Sequence, residues 1–120
     1  MKAKVEESFA MEIVAHETNG IAVIQLKGRF DAHEVAEVRK ALTVTPTQKR
    51  LLVNLAQVTF IDSSALACLV QTMKHCREAE GDLYLCELAQ PLRVIFELTR
   101  LDKAFEIFEA EEAAVQAFAK

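Results

Sequence analysis

Turn formers are scarce in this chain of 120 residues, with only three glycines and two prolines. So few argue against a small barrel or sandwich, which needs a tight turn about every 8–12 residues. No stretch approaches the roughly 18 unbroken apolar residues of a membrane span, so no membrane insertion is expected. Basic residues are not in excess either. Lys and Arg total 14 against 18 Asp and Glu, a formal net charge of −4. Proteins that grip nucleic acid through its phosphates carry the opposite sign, so direct nucleic-acid contact is not expected. Cysteine is sparse and odd in number. Cys68, Cys76 and Cys86 lack metal-ligand spacing and sit in apolar segments, which reads as three small buried hydrophobes, with no metal site. The opening Met1-Lys2-Ala3-Lys4-Val5-Glu6-Glu7-Ser8 places carboxylates where a signal peptide needs an apolar core, and the expectation is a cytoplasmic protein.

What is present is a core. Hydrophobic residues make up 52% and charged residues 27%, outside the range of disordered tails. At this size folding reduces roughly 19,000 Å² of chain surface to roughly 6,500 Å². That suffices for one domain over residues 1–120, with its core at about 11–118.

The pattern along the chain is α/β. Met11–His16 and Ile21–Leu26 read as strands joined through Glu17-Thr18-Asn19-Gly20, where Asn-Gly signals a hairpin because both residues tolerate positive φ. Gly28 is expected to break the second strand. Asp31-Ala32-His33-Glu34 then resembles a capping box opening a helix that carries Val35, Val38 and Leu42. Leu51–Leu55 is a nearly continuous apolar run of the kind buried on both faces. A connection over Ala56–Ile61 is expected next, then a long helix to Glu80 with Leu66, Leu69, Val70 and Met73 on one stripe and Gly81 as its stop. Leu83–Cys86 completes a parallel, right-handed βαβ unit. Gln90-Pro91 opens a third helix, with Leu92, Ile95 and Phe96 on its apolar face. Phe105–Phe108 is strand-like, and Glu111–Ala119 forms a closing helix with Ala114, Val115 and Phe118 inward. A mixed sheet with an N-terminal hairpin, a parallel βαβ unit and about four helices is the expected architecture.

The segment with most chemical content is Phe60-Ile61-Asp62-Ser63-Ser64-Ala65-Leu66. It puts Asp, Ser and Ser at a helix N-terminus, where unpaired N–H groups and the positive end of the helix dipole point outward. Asp and Ser are good N-caps, which accounts for their presence structurally. A hydroxyl here also suits modification, because a phosphate adds roughly −1.5 to −2 charges that the same amides partly stabilise. The other polar residues suggest less. His16, His33 and His75 are scattered, and no Gly-x-Ser-x-Gly motif surrounds Ser63, so hydrolase chemistry is disfavoured. Glu106, Glu109, Glu111 and Glu112 read as a solvated acidic face at the last helix.

In order and spacing the chain resembles a STAS domain, the family of bacterial anti-sigma-factor antagonists and their relatives. The resemblance rests on the hairpin, Leu26-Lys27-Gly28-Arg29-Phe30-Asp31, Leu52-Val53-Asn54-Leu55, Asp62-Ser63-Ser64 after Val58-Thr59-Phe60-Ile61, and Leu98–Phe108. It implies a binding module with no enzymatic activity and no cofactor, since ATP belongs to the kinase, that regulates transcription through proteins. Unphosphorylated, such an antagonist sequesters an anti-sigma-factor serine kinase and releases the sigma factor. Phosphorylation of the first Ser, here Ser63, switches it off, and a phosphatase reverses this. Asp31, Asp62, Ser63, Ser64 and Ala65 are the implied partner-binding positions, on a monomer or weak dimer. A STAS subunit of a lipid transport complex or a stress-signalling scaffold is the alternative within the family. Two positions depart from the common pattern, with Ala65 and Arg100 standing where many members have Gly. If Arg100 has positive φ, it costs stability there.

Overall fold

Strand pairing explains most of the local structure of residues 11–119, which the computed structural model describes. The Met1–Ser8 segment read above lies outside these residues. Strands β1 (Glu12–Thr18) and β2 (Ile21–Phe30) form the hairpin. Asn19 and Gly20, at φ 53° and 78°, are its whole loop, a two-residue turn whose twist matches the strands. Glu17 and Thr18, expected in the loop, pair with Ala22 and Ile21 instead.

Gly28 does not end β2. It sits inside the strand at φ 115°, next to a shift of register against the neighbouring strand. Only glycine adopts this φ readily, so the residue bends the strand without terminating it. The expected connection over Ala56–Ile61 is also strand. β3 runs unbroken from Arg50 to Ile61 because its second half pairs with the far half of β2, with Val58 and Ile61 buried. β4 (Asp82–Cys86) meets only the first half of β3. With β5 (Glu106–Phe108), the sheet order is β1-β2-β3-β4-β5, the first pair antiparallel and the rest parallel.

Helices α1 (Val35–Ala41), α2 (Ser63–Glu78) and α3 (Gln90–Leu98) cover one face of the sheet. Val38, Leu69, Met73, Leu92 and Phe96 pack there against Ile24, Leu26, Val53, Leu55 and Leu85. The buried stripe of α2 also takes in Ala65, Cys68, Thr72 and Cys76, whereas Leu66 and Val70 are only half-buried at its margin. Among the described residues α4 (Glu111–Ala119) is the helix on the other face. Ala114, Val115 and Phe118 cover Ile21, Val23, Leu52 and Cys86, and Phe118 stacks on Tyr84 with ring centres 3.8 Å apart. Among the described residues no helix lies over the ends of β2 and β3 beyond this cluster on that face, and Arg29 and Phe60 are exposed there.

The end of α2 corrects the role expected for Gly81. Glu80, not Gly81, takes the left-handed conformation, at φ 69°. Its N–H donates to the Arg77 carbonyl and that of Gly81 to the Cys76 carbonyl, the bond pair of a Schellman ending. Arg100, after α3, is also left-handed at φ 65°, the case in which a side chain is unfavourable. Arg100→Gly is therefore expected to raise unfolding free energy by about 0.5–1 kcal/mol, measured by urea denaturation. An unchanged or lower midpoint would mean that the arginine side chain compensates for its backbone.

Candidate functional site

β2 and β3 end side by side, Phe30 paired with Ile61 and both side chains buried. The chain leaves each strand through an aspartate in the same conformation: Asp31 at φ −127°, ψ −173° and Asp62 at φ −111°, ψ −178°. Each carboxylate then caps the turn that follows it. Asp31 Oδ1 accepts from the His33 N–H at 3.1 Å, and Asp62 Oδ1 from the Ala65 N–H at 2.9 Å. Asp62 does more. Its Oδ2 accepts from the Ala32 N–H at 3.0 Å, and its own N–H donates to the Phe30 carbonyl at 3.3 Å. One residue thereby locks the start of α2 to the turn after β2.

The anticipated capping box is incomplete. Ala32–Glu34 is a 3-10 turn, and among the described residues no bond returns from the Glu34 carboxylate to Asp31. The Asp31 carboxylate instead faces the Arg29 Nε at 3.9 Å and the His33 Nδ1 at 3.7 Å. His33 is a solvated residue, its side chain 91% exposed.

Ser63 and Ser64 occupy the first two positions of α2 and are both exposed. Their N–H groups fall among the four that a helix start leaves without intrahelical partners. Ala65 differs from the other predicted site residues. Its side chain is fully buried under the helix, so it secures the helix start against the sheet and presents nothing at the surface. A Cα hydrogen in its place would leave a void, which is a physical reason for Ala at a position where Gly is common. The structure thus gathers Asp31, Asp62, Ser63 and Ser64 at the C-terminal ends of β2 and β3.

Neither of the remaining histidines reaches these strand ends. His75 lies in the last turn of α2, about 18 Å along the helix from Ser63, and His16 pairs with Val23 on the hairpin. Among the described residues no group of three His, Cys, Asp or Glu converges as a metal site. All three cysteines are buried and unbridged. Burial raises their thiols, that of Cys76 to about 11 and that of Cys86 to about 12, with nearby carboxylates adding to both; reactive thiolates have the opposite shift.

The acidic end of α4 is not wholly a solvated face. Glu111 Oε1 accepts from the Asn54 amide at 2.8 Å, satisfying a buried polar side chain of β3, while the Glu111 N–H donates to the Glu87 carboxylate at 2.9 Å. Sequence spacing gives no hint of this, since the partners are 57 and 24 residues away. The pairing of Arg29 with Phe60 is likewise hidden from local sequence patterns. The guanidinium lies 4.0 Å from the centre of the Phe60 ring, a contact that follows from β2–β3 register. Alternation around buried Phe30 and Ile61 is the signal that could have placed both residues outward.

A central strand running out to an Asp-Ser-Ser helix start, behind an N-terminal hairpin, is the arrangement that family resemblance implied. A model of the STAS domain matches residues 12–114. The chain belongs to the STAS domain family. Among its relatives, the anti-sigma-B factor antagonist of Listeria monocytogenes is 28% identical over 106 residues, 87% of this chain and 92% of its own. An anti-sigma factor antagonist from Mycobacterium paratuberculosis has the same fold, with a TM-score of 0.83 at 21% identity over 92% of this chain and 96% of that one. So does the Bacillus cell fate determinant SpoIIAA in its phosphorylated form, with a TM-score of 0.70 at 21% identity over 88% and 98%. Among the described residues of this STAS domain, no helix is long and apolar enough to cross a membrane.

Proposed function

We propose that this STAS domain is an anti-sigma-factor antagonist, a binding module without enzymatic activity of its own. Its partner is an anti-sigma-factor serine kinase, and Ser63 is the switch. The observation that carries this reading is the exposed Ser63 hydroxyl at the first position of α2, on a backbone held by the two bonds to the Asp62 carboxylate. The names of the relatives support the role, and a fold neighbour that exists in phosphorylated form supports the modification.

In the reaction, Ser63 Oγ bonds to the γ-phosphorus of ATP held by the kinase. The bond from that phosphorus to the bridging oxygen breaks, ADP leaves, and the hydroxyl proton passes to a base on the kinase. Two free amides and the helix dipole stabilise the product. Phosphorylation takes the chain from its formal −4 to roughly −6, all of the change at one point of the surface. Placed inside an interface, a dianion must be desolvated or repelled, and the complex dissociates. A phosphatase resets it. Asp31, Asp62 and Ser64 frame the contact; Ala65 supports it from below.

The test pairs the purified chain with the serine kinase encoded beside it or co-purified with its sigma factor. Phosphate is expected on Ser63. Ser63→Ala is expected to bind and resist switching, and Ser63→Asp to bind at least about tenfold more weakly. Phosphate on another residue, or full-strength binding by Ser63→Asp, refutes the proposal.

A further inference from the structure

Two exposed residues beside the switch are arranged in a way that capping and core packing do not require. β1 pairs with β2 only as far as Lys27, opposite Glu12, and among the described residues no strand pairs with Gly28–Phe30 on the β1 side. Arg29 stands on this margin, opposite Phe60 of β3. Both face away from the core that holds Phe30 and Ile61. α4 closes only the other end of this face of the sheet, over Ile21, Val23 and Leu52. Phe60 is 36% exposed, and its ring carries the Arg29 guanidinium at 4.0 Å. The Arg29 side chain is 58% exposed, and its Nε is 3.9 Å from the Asp31 carboxylate.

An aromatic face and a carboxylate together hold a long, flexible side chain in one place, lowering the entropy lost when it binds something else. Asp31 approaches only Nε, leaving the end of the guanidinium available for a planar, two-bond contact with a second carboxylate. Arginine and exposed aromatics are the residue types that most often dominate interface energy. On a chain of formal charge −4, a fixed cation two residues before Asp31 is a local exception.

We infer that Arg29, seated on Phe60, is a specificity-determining contact that requires a carboxylate on the partner surface facing the Ser63 site. This rests on the proposed antagonist role and adds to it the sign of the partner's charge at one place. A partner with a basic side chain there would meet repulsion from Arg29 and be rejected.

The experiment measures association and dissociation rates of the unphosphorylated chain with the serine kinase that modifies Ser63, for the wild type, Arg29→Glu, Arg29→Lys and Phe60→Ala. Arg29→Glu is expected to weaken binding at least about tenfold, with much of the loss in association rate, and the loss should shrink as ionic strength rises from about 0.01 M to about 0.15 M. Arg29→Lys keeps the charge without the planar fork and should fall between. Phe60→Ala should mainly speed dissociation. The Arg29 side chain is 58% exposed, so melting temperatures of its two variants are expected to stay close to that of the wild type, separating recognition from folding. Phe60 is more covered, and the binding of Phe60→Ala is compared at a temperature well below its own melting point. Equal or tighter binding by Arg29→Glu, in a wild type that binds the kinase and is phosphorylated on Ser63, overturns this inference alone. A wild type that neither binds the kinase nor takes phosphate on Ser63 overturns the antagonist reading, and this inference with it.

Discussion

Asp62→Ala is expected to lower unfolding free energy by about 2–4 kcal/mol, more than an ordinary N-cap substitution at about 1 kcal/mol. The excess comes from the second carboxylate oxygen. Oδ1 caps α2 through Ala65, and Oδ2 holds the Ala32 N–H of the neighbouring turn. Removing the side chain leaves two backbone donors without their charged acceptor, one of them over the fully buried Ala65. Asp31→Ala provides the comparison. Asp31 makes only one such bond, to the exposed His33 N–H, and should lose about 1 kcal/mol. Asp62→Asn should fall between, because an amide accepts through one oxygen only. Urea denaturation of the three variants gives the ranking, and amide exchange at Ala32 and Ala65 reports the two bonds separately. If Asp62→Ala is no more destabilising than Asp31→Ala, the bond to Ala32 contributes nothing and the lock between the two turns is not real. Since the lock fixes the backbone under Ser63, its loss should also slow phosphorylation.

Gly81→Ala should be more damaging still, above about 3 kcal/mol. A Cβ at this position would lie 2.0 Å from the Lys49 carbonyl oxygen and 2.7 Å from its carbon. Those are backbone atoms and cannot swing aside. The same Lys49 oxygen accepts the Asp82 N–H at 3.1 Å, at the point where Arg50 and Asp82 start the pairing of β3 with β4. Relieving the clash therefore means displacing the origin of a central strand or the end of α2. Gly20→Ala is the contrasting case. It has positive φ but nothing within 4 Å of a Cβ, so only the backbone preference is lost, about 1 kcal/mol. Thermal or urea unfolding of the pair discriminates the two mechanisms. Similar midpoints would show that chain conformation, not contact with Lys49, makes Gly81 necessary.

The Gly81 case also shows why parts of this fold were legible in the sequence and others were not. A glycine at the end of a periodic helix was readable as a stop, but Glu80 takes the left-handed turn, and Gly81 is there because another strand passes close by. Likewise, Gly28 reads as a strand breaker by local propensity. Pairing with β3 carries the strand through it. Ala56–Ile61 lacks the continuous apolar run of Leu51–Leu55, and its strand conformation follows from the length of β2 beside it.

By itself the sequence determined the elements whose causes are local: the Asn19-Gly20 hairpin, the periodicities of the helices, the parallel βαβ unit, and an Asp-Ser-Ser segment at a helix start. Those depend on φ preference, hydrophobic period and capping, all confined to a few neighbouring residues. Tertiary structure alone decided which of the site residues share a surface. It buried Ala65, bound Asp62 to the turn 30 residues before it, turned Glu111 toward Asn54 and set Arg29 on Phe60. These contacts depend on strand register and sheet twist, which bring together atoms whose spacing along the chain carries no period.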